Sequence, residues 1–274
     1  MRNPNSSVLN QLLLFVLAAL FAAPLVWMVL SSLKSPVQLT ENPYAILPKS
    51  WQWSNYPQAL AAMPYLRYLS NSVALCAGSV LGSTLSCSLA AYGFARLRWR
   101  GRDFLFGLLI TTLLLPWHVT MIPRFLLIRE LGLYNSLAAL IAPTFLGDAF
   151  FIFLLRQFYL TIPEELSEAG RLDGLSEWGI YWNLILPLSR PALVTVAVFQ
   201  TVSAWNDFSG PLLYLSDPQH FPLAYGLEQF VSSYADQTHL LLAAAVLFTL
   251  PMLLLFLFAQ RTFVRGISTT GIKG

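Results

Sequence analysis

The chain has 274 residues, of which 56% are hydrophobic and only 11% charged, with a formal net charge of +3. A soluble domain carries about 25% charged residues, so the composition excludes an ordinary soluble globule and makes an integral membrane protein the default class. The sixteen Lys and Arg residues are scattered over several segments rather than gathered in one stripe, which argues against a nucleic-acid partner.

In chain order, six apolar runs are long enough to cross a bilayer as helices. They are Leu9–Leu30, Leu69–Ala95, Phe104–Met121, Ser136–Leu155, Pro191–Leu215 and Leu240–Gln260. The first exceeds the apolar core of a signal peptide and reads as an uncleaved anchor. With the N-terminus in the cytoplasm, Lys34, Lys49, Arg67, Arg124 and Arg129 fall outside and the other eleven basic residues inside. The positive-inside rule therefore predicts an all-α, multi-pass protein with six transmembrane helices and both termini cytoplasmic. The chain reads as one integral domain. Residues 1–68 supply the first helix and outer loop, 69–260 a five-helix core, and 261–274 a cytoplasmic tail.

The outer segment Ser32–Tyr68 holds Pro36, Pro43, Pro48, Pro57 and Pro64 with Tyr44, Trp51, Trp53 and Tyr56. Its prolines forbid one long helix. Its aromatic residues suit either a membrane-interface belt or a surface for an outside partner. The second run carries Gly78 and Gly82 as a GxxxG, with Ser79, Ser83, Ser86 and Ser88 nearby. Small residues let helices approach closely in lipid, without saying which helix is the neighbour. Cys76 and Cys87 lie in the same run, about 16 Å apart along a helix. They cannot form a disulfide there and read as small packing residues.

Several chemistries are missing. None of the three lysines follows a glycine, so no P-loop of the GxxxxGK type exists. There is no HExxH, no Cys/His cluster at metal-ligand spacing and no GxSxG elbow. The chain is expected to have no catalytic residue, no metal site and no cofactor of its own. Within the apolar runs the acidic residues are Asp148 and Asp207. Two carboxylates make a thin basis for ion-coupled transport.

The segment between the fourth and fifth runs is different. SEAGRLDG, Ser167 to Gly174, is flanked by Glu164, Glu165 and Glu177. Thr161 to Glu164 fits a capping box, with Pro163 acceptable in a first turn. Gly170 and Gly174 both offer stops, Gly174 being the better left-handed cap, and Ser176 can cap a second short helix running towards Pro187. A cytoplasmic helix-turn-helix over 161–187 is expected, with Leu166, Ala169 and Leu172 able to share a face.

Glu168-Ala169-Gly170, Asp173-Gly174, nine residues, Leu184 and Leu186-Pro187 resemble the EAA loop of membrane subunits of ABC importers. Gly170 replaces the second alanine of that pattern and Leu184 its isoleucine. Other segments resemble carbohydrate-importer permeases, in the branch that includes the smaller maltose permease. They are Asn71-Ser72, Ala90 to Arg96, Leu155 to Phe158, Ser203 to Phe208, Gln260-Arg261 and Gly271 to Gly274. The resemblance implies a subunit of the bacterial or archaeal cytoplasmic (inner) membrane. It implies pairing with a second homologous permease, a dimer of ATPase subunits that bind ATP and Mg, and an extracytoplasmic sugar-binding protein. It assigns Glu164, Glu165, Glu168, Ala169, Gly170, Asp173 and Gly174 to the ATPase-coupling helix. It gives Gly271, Ile272, Lys273 and Gly274 a tail contact with the ATPases.

Trp205, Asn206 and Asp207 group an aromatic ring with two polar side chains, a composition suited to a sugar path. The alternative is an interface tryptophan and an aspartate that either pairs with the partner subunit or caps a break before Gly210-Pro211. Two competing readings stand beside the sugar permease. One is the same machine carrying a glycerophosphate or polyol. The other is a stand-alone secondary carrier.

Overall fold

The computed structural model describes residues 4–233 and 236–270, with side chains over 10–233 and 236–257. Among these the regular structure is helical, without strands. In order, the helices are α1 (Pro4–Ser32), α2 (Pro36–Glu41), α3 (Asn55–Ala62), α4 (Tyr65–Ala95) and α5 (Arg102–Thr111). Next come α6 (Trp117–Glu130), α7 (Ala138–Ile141), α8 (Ala149–Thr161), α9 (Glu164–Leu172) and α10 (Glu177–Ile180). The last are α11 (Leu186–Leu188), α12 (Arg190–Asn206), α13 (Ser209–Tyr214), α14 (Leu223–Ser233) and α15 (Thr238–Thr270). Four stretches are long and apolar enough to span a membrane. Two bent pairs bring the total to as many as six.

Breaks in the helices correct two expected runs. Phe104–Met121 is not one helix. The chain breaks at Pro116, and the segments before and after it lie at 103°. Pro116 has no N–H to continue the ladder and sits extended at ψ 142. Pro191–Leu215 also divides, because α12 stops at Asn206 and Asp207 adopts an extended backbone before α13 begins. The fourth run is composite. A short 3₁₀ stretch, Ala142–Leu146, follows α7, and Gly147 then turns at φ +90 before α8.

The chain groups into two compact units. Met1–Tyr65 groups with Gly226–Pro251, and Leu66–Tyr225 groups with Met252–Gly274. In the first unit, the Tyr65 hydroxyl donates to the Leu247 carbonyl at 3.0 Å, tying the end of the outer segment to α15. That segment is itself folded around a cation. Lys34 is fully buried, and its ammonium donates to the Ser31 hydroxyl and to the carbonyls of Pro43 and Ala45. Asn55 donates to the carbonyls of Ser32 and Lys34 at 2.8 and 3.0 Å. Trp51 and Trp53 stack outside this knot, 53% and 65% exposed.

In the second unit α4 is the longest rod. Its GxxxG packs within the chain. A Cβ added to Gly78 would meet the Ile141 side chain at 2.9 Å, and one added to Gly82 would overlap Thr144 and Phe145. Ser86 cements the approach by donating to the Thr144 carbonyl at 3.0 Å. Close backbone contact of this kind gives dispersion and hydrogen-bond energy where lipid offers no hydrophobic driving force. The core joins α4, α8, α10 and α12 through residues such as Ala91, Leu155, Ile180, Ile185 and Val196, all fully buried. Cys76 and Cys87 are buried free thiols.

Candidate functional site

The EAA-like helix forms where its signals place it, with one difference at its start. Thr161 does not cap it. Helix α8 runs on through Thr161, whose hydroxyl donates back to the Phe158 carbonyl at 2.7 Å. Ile162 and Pro163 are extended, and α9 begins at Glu164 without a side-chain cap. Glu164 and Glu165 in its first turn suit the helix dipole. The C-terminal end matches the sequence signal. Gly174 sits at φ +84, Leu175 N–H donates to the Gly170 carbonyl and Gly174 N–H to the Arg171 carbonyl. This pair of bonds is the Schellman motif, and the left-handed residue is the glycine it favours. Ser176 then caps α10 by accepting from Gly179 N–H at 3.2 Å. A π-helical turn, Tyr181–Ile185, carries the chain on to α11.

Only Ser167 and Gly170 of α9 are buried. Gly170 is buried because a neighbour occupies the space of its missing side chain. A Cβ there would lie 2.9 Å from Leu184 Cδ1 and 3.3 Å from the Ile180 side chain. A polar chain fastens the base of the loop to α4. Arg171 Nε pairs with the Glu177 carboxylate at 2.9 Å, and the Tyr92 hydroxyl donates to the same carboxylate at 2.7 Å. Partial burial would push the Glu177 carboxyl up. The Tyr92 and Arg171 hydrogen bonds outweigh it and hold the pKa below the usual carboxylate value. Arg96 donates to the carbonyls of Tyr159 and Ile162 across the end of α8. Tyr92 and Arg96 lie in the quoted Ala90–Arg96 run, but their clamp needed the fold to become visible.

The rest of α9 faces outward. Glu165, Glu168 and Asp173 are exposed and lack an ion pair among the described residues, while Glu164 meets Arg98 at 3.1 Å on the surface. Leu166, Ala169 and Leu172 are exposed as well, Leu172 at 89%, with Trp178 close behind in sequence at 63%. The helix therefore offers free carboxylates and bare apolar side chains together. Gly271 to Gly274 lie outside the described residues.

A cavity of about 610 Å³ opens within the second unit. It is lined from α4 by Leu75, Ser79 and Ser83, from α6 by Trp117 and Arg124, and from α12 by Gln200 and Ser203. Of the three residues grouped for a substrate path, only Asp207 lines it. Trp205 is 4% exposed and belongs to the packing of α12. Asn206 donates to its own helix at the Val202 carbonyl. Asp207 itself accepts from Gly210 N–H at 3.0 Å, so it caps the break before Gly210-Pro211. Asp148, also on the cavity wall, caps α8 by accepting from Phe150 and Phe151 N–H groups. The hydroxyls at Ser79 and Ser83 carried a signal, the i, i+4 spacing of polar groups on an apolar helix, that pointed equally to packing. No group of three or more His, Cys, Asp or Glu residues able to hold a metal occurs among the described residues.

A membrane-spanning helical unit with an outward-facing EAA-like helix defines an importer permease, and the chain belongs to that class. The family of binding-protein-dependent transport system inner membrane components matches residues 82–269. Members of this family are ABC transporter permeases, membrane subunits that are not themselves catalytic. The arabinooligosaccharides transport system permease protein AraQ of Halalkalibacterium halodurans is 32% identical, covering 100% of both chains. The sulfoquinovosyl glycerol transport system permease protein SmoH of Agrobacterium fabrum is 31% identical over 92% of this chain and 88% of its own. In fold, the chain is similar to one from the crystal structure of a bacterial ABC transporter involved in import of the acidic polysaccharide alginate. The TM-score is 0.80 at 24% identity, covering 96% of this chain and 99% of that one.

Proposed function

We propose that this chain is the membrane permease subunit of an ATP-driven importer that moves a sugar or sugar-like solute into the cytoplasm. The observation that carries the proposal is the construction of α9. Its base is clamped to α4 by Arg171, Glu177 and Tyr92, and its outer face is left to a partner. Helix α4 also lines the cavity. A push on α9 therefore reaches the cavity wall through one helix. The partner on α9 is an ATPase dimer, since the chain has no P-loop of its own. Counting the two bent pairs as spans supports six crossings, and the basic-residue bias supports cytoplasmic termini. A second permease completes the translocation path, an outer binding protein delivers the cargo, and alternating access follows ATP-driven closure. The resemblance of Gly271 to Gly274 to the family's tail supports a contact there with the ATPases. The cargoes of AraQ and SmoH, arabinooligosaccharides and sulfoquinovosyl glycerol, support a carbohydrate cargo.

Reconstitution in proteoliposomes tests the proposal. Uptake is expected only with the ATPase, hydrolysable nucleotide and binding protein present. Uptake that persists after the ATPase is removed would identify a stand-alone carrier instead.

A further inference from the structure

Helix α4 carries more hydroxyls than its packing uses. Ser70 donates to the Arg67 carbonyl, Ser72 accepts from Leu223 N–H, and Thr84 donates to the Val80 carbonyl. Ser86 donates to the Gly82 and Thr144 carbonyls, and Ser88 bonds the Tyr181 hydroxyl. Ser79 and Ser83 do none of these things. They are 2% and 1% exposed, they line the cavity, and neither hydroxyl has a hydrogen-bond partner among the described residues. Neither is among the sealed polar atoms that lack a partner, so both hydroxyls open on to the cavity, whereas serine on a helix usually bonds the carbonyl one turn back. Two such hydroxyls, about 6 Å apart along one helix face, border the same space.

Gln200 and Ser203 lie on α12 with the same spacing logic, one turn apart, and both line the cavity without a hydrogen bond among the described residues. Helices α4 and α12 adjoin here, with Cys76 Sγ 3.8 Å from the Thr201 carbonyl. The two carboxylates of the wall are already bound to backbone N–H groups as caps, Asp148 on α8 and Asp207 at the α12 break. Trp117 adds an aromatic surface. We infer that Ser79, Ser83, Gln200 and Ser203 form a cargo-binding subsite for a neutral, hydroxyl-rich solute. Each of these groups can both donate and accept, as a sugar hydroxyl does, and Trp117 offers an apolar face for a sugar ring. The volume falls within the range of small-molecule pockets, roughly 300–1,000 Å³. Arg124 is the exposed cation on the wall, and it defines the competing reading, an anionic cargo.

This inference rests on the sugar-permease proposal, and one experiment separates the two. The complete transporter with its binding protein is reconstituted and offered two oligosaccharide pools, one neutral from arabinan and one anionic from polygalacturonan. Uptake is read by mass spectrometry and ATP hydrolysis separately. The double variant S79A/S83A keeps good helix formers in α4, so recovery of the complex is expected to be unchanged. Its uptake of the neutral pool is expected to fall about tenfold, roughly threefold for each lost hydrogen bond. ATP hydrolysis stimulated by the binding protein stays within about twofold. Gln200→Leu, on the partly exposed side of the cavity, is expected to lower the same uptake. Unchanged neutral uptake in S79A/S83A overturns the subsite. So does transport of the anionic pool alone, lost in Arg124→Gln and intact in S79A/S83A. Uptake by the unmodified protein that ignores ATP overturns the permease proposal itself.

Discussion

The outer segment after α1 buries one cation, Lys34, at its centre, whereas the loop between α8 and α12 leaves most of its charge exposed. In the outer segment, Lys34 is buried and satisfied by a hydroxyl and two carbonyls, and Gln38 donates to Leu47 and accepts from Lys49. Its surface carries Tyr44, Ile46 and the Trp51–Trp53 stack beside the exposed Glu41, Lys49 and Arg67. Such a surface suits the membrane interface. In the inner loop, Arg171 and Glu177 are spent on the clamp to Tyr92, and Glu165, Glu168 and Asp173 stay exposed and unpaired. A connection that serves itself satisfies its polar groups internally. A connection meant for a partner leaves them free, where complementary charge can select that partner.

The largest effect should come from breaking the outward-facing charge. Glu168→Lys reverses an exposed carboxylate that makes no hydrogen bond or ion pair among the described residues. We expect ATP-driven uptake to fall at least tenfold, or the ATPase to be lost on purification, while helicity by circular dichroism is unchanged. A variant that transports normally in an intact complex would remove α9 from the coupling role.

Breaking the inward-facing charge should act on structure instead. Lys34→Met leaves the Pro43 and Ala45 carbonyls without their donor in a buried site. Loss of a charged donor costs about 1.5–3 kcal/mol. Hydrogen exchange over residues 34–55 should quicken accordingly, with ATP hydrolysis by the assembled complex little altered. Equal protection in the variant would mean that the cation is not what holds the segment.

A smaller effect tests the clamp. Tyr92→Phe removes one hydrogen bond to a carboxylate, worth about 1.5 kcal/mol. The depressed pKa of Glu177 means that its stabilisation is fully present above the ordinary carboxylate pKa and fades as pH falls through the lower folded value. The stability difference between the protein and Tyr92→Phe should therefore shrink on acidification below about pH 4. A difference independent of pH would show that Tyr92 acts through packing alone.

These contrasts explain what the sequence could and could not reveal. The inner loop was legible because its signals are local. Acidic residues at a helix start, Gly174 at a left-handed position and Ser176 before the next helix each act within a few residues. The expected Thr161 cap failed because α8, a neighbour with its own propensity, extended through it. The breaks at Pro116 and Asp207 were obscured because hydropathy registers apolar content and not chain direction. The cavity was harder still. Ser79 and Ser86 look alike in sequence, and they differ only in whether another segment reaches the hydroxyl.

The smallest effect concerns Gly170, one of two departures from the EAA pattern. The other, Leu184, is the side chain that fills its place, with Cδ1 2.9 Å from where a Cβ would stand. The two departures therefore touch. Alanine at 170 would gain up to about 1 kcal/mol of helix propensity, but the Leu184 tip must move by a few tenths of an ångström. Because that tip is the flexible end of a side chain, the clash is cheap, and Gly170→Ala alone should change stability by less than about 1 kcal/mol. Leu184→Ile withdraws one δ-methyl from the contact. The pair should then be coupled, with the double variant more stable than the sum of the single changes by roughly 0.5 kcal/mol or more. Thermal unfolding of the purified complex measures the cycle. Strict additivity would mean that Gly170 and Leu184 changed independently, and that the fit of α9 against the π-helical turn does not depend on their match.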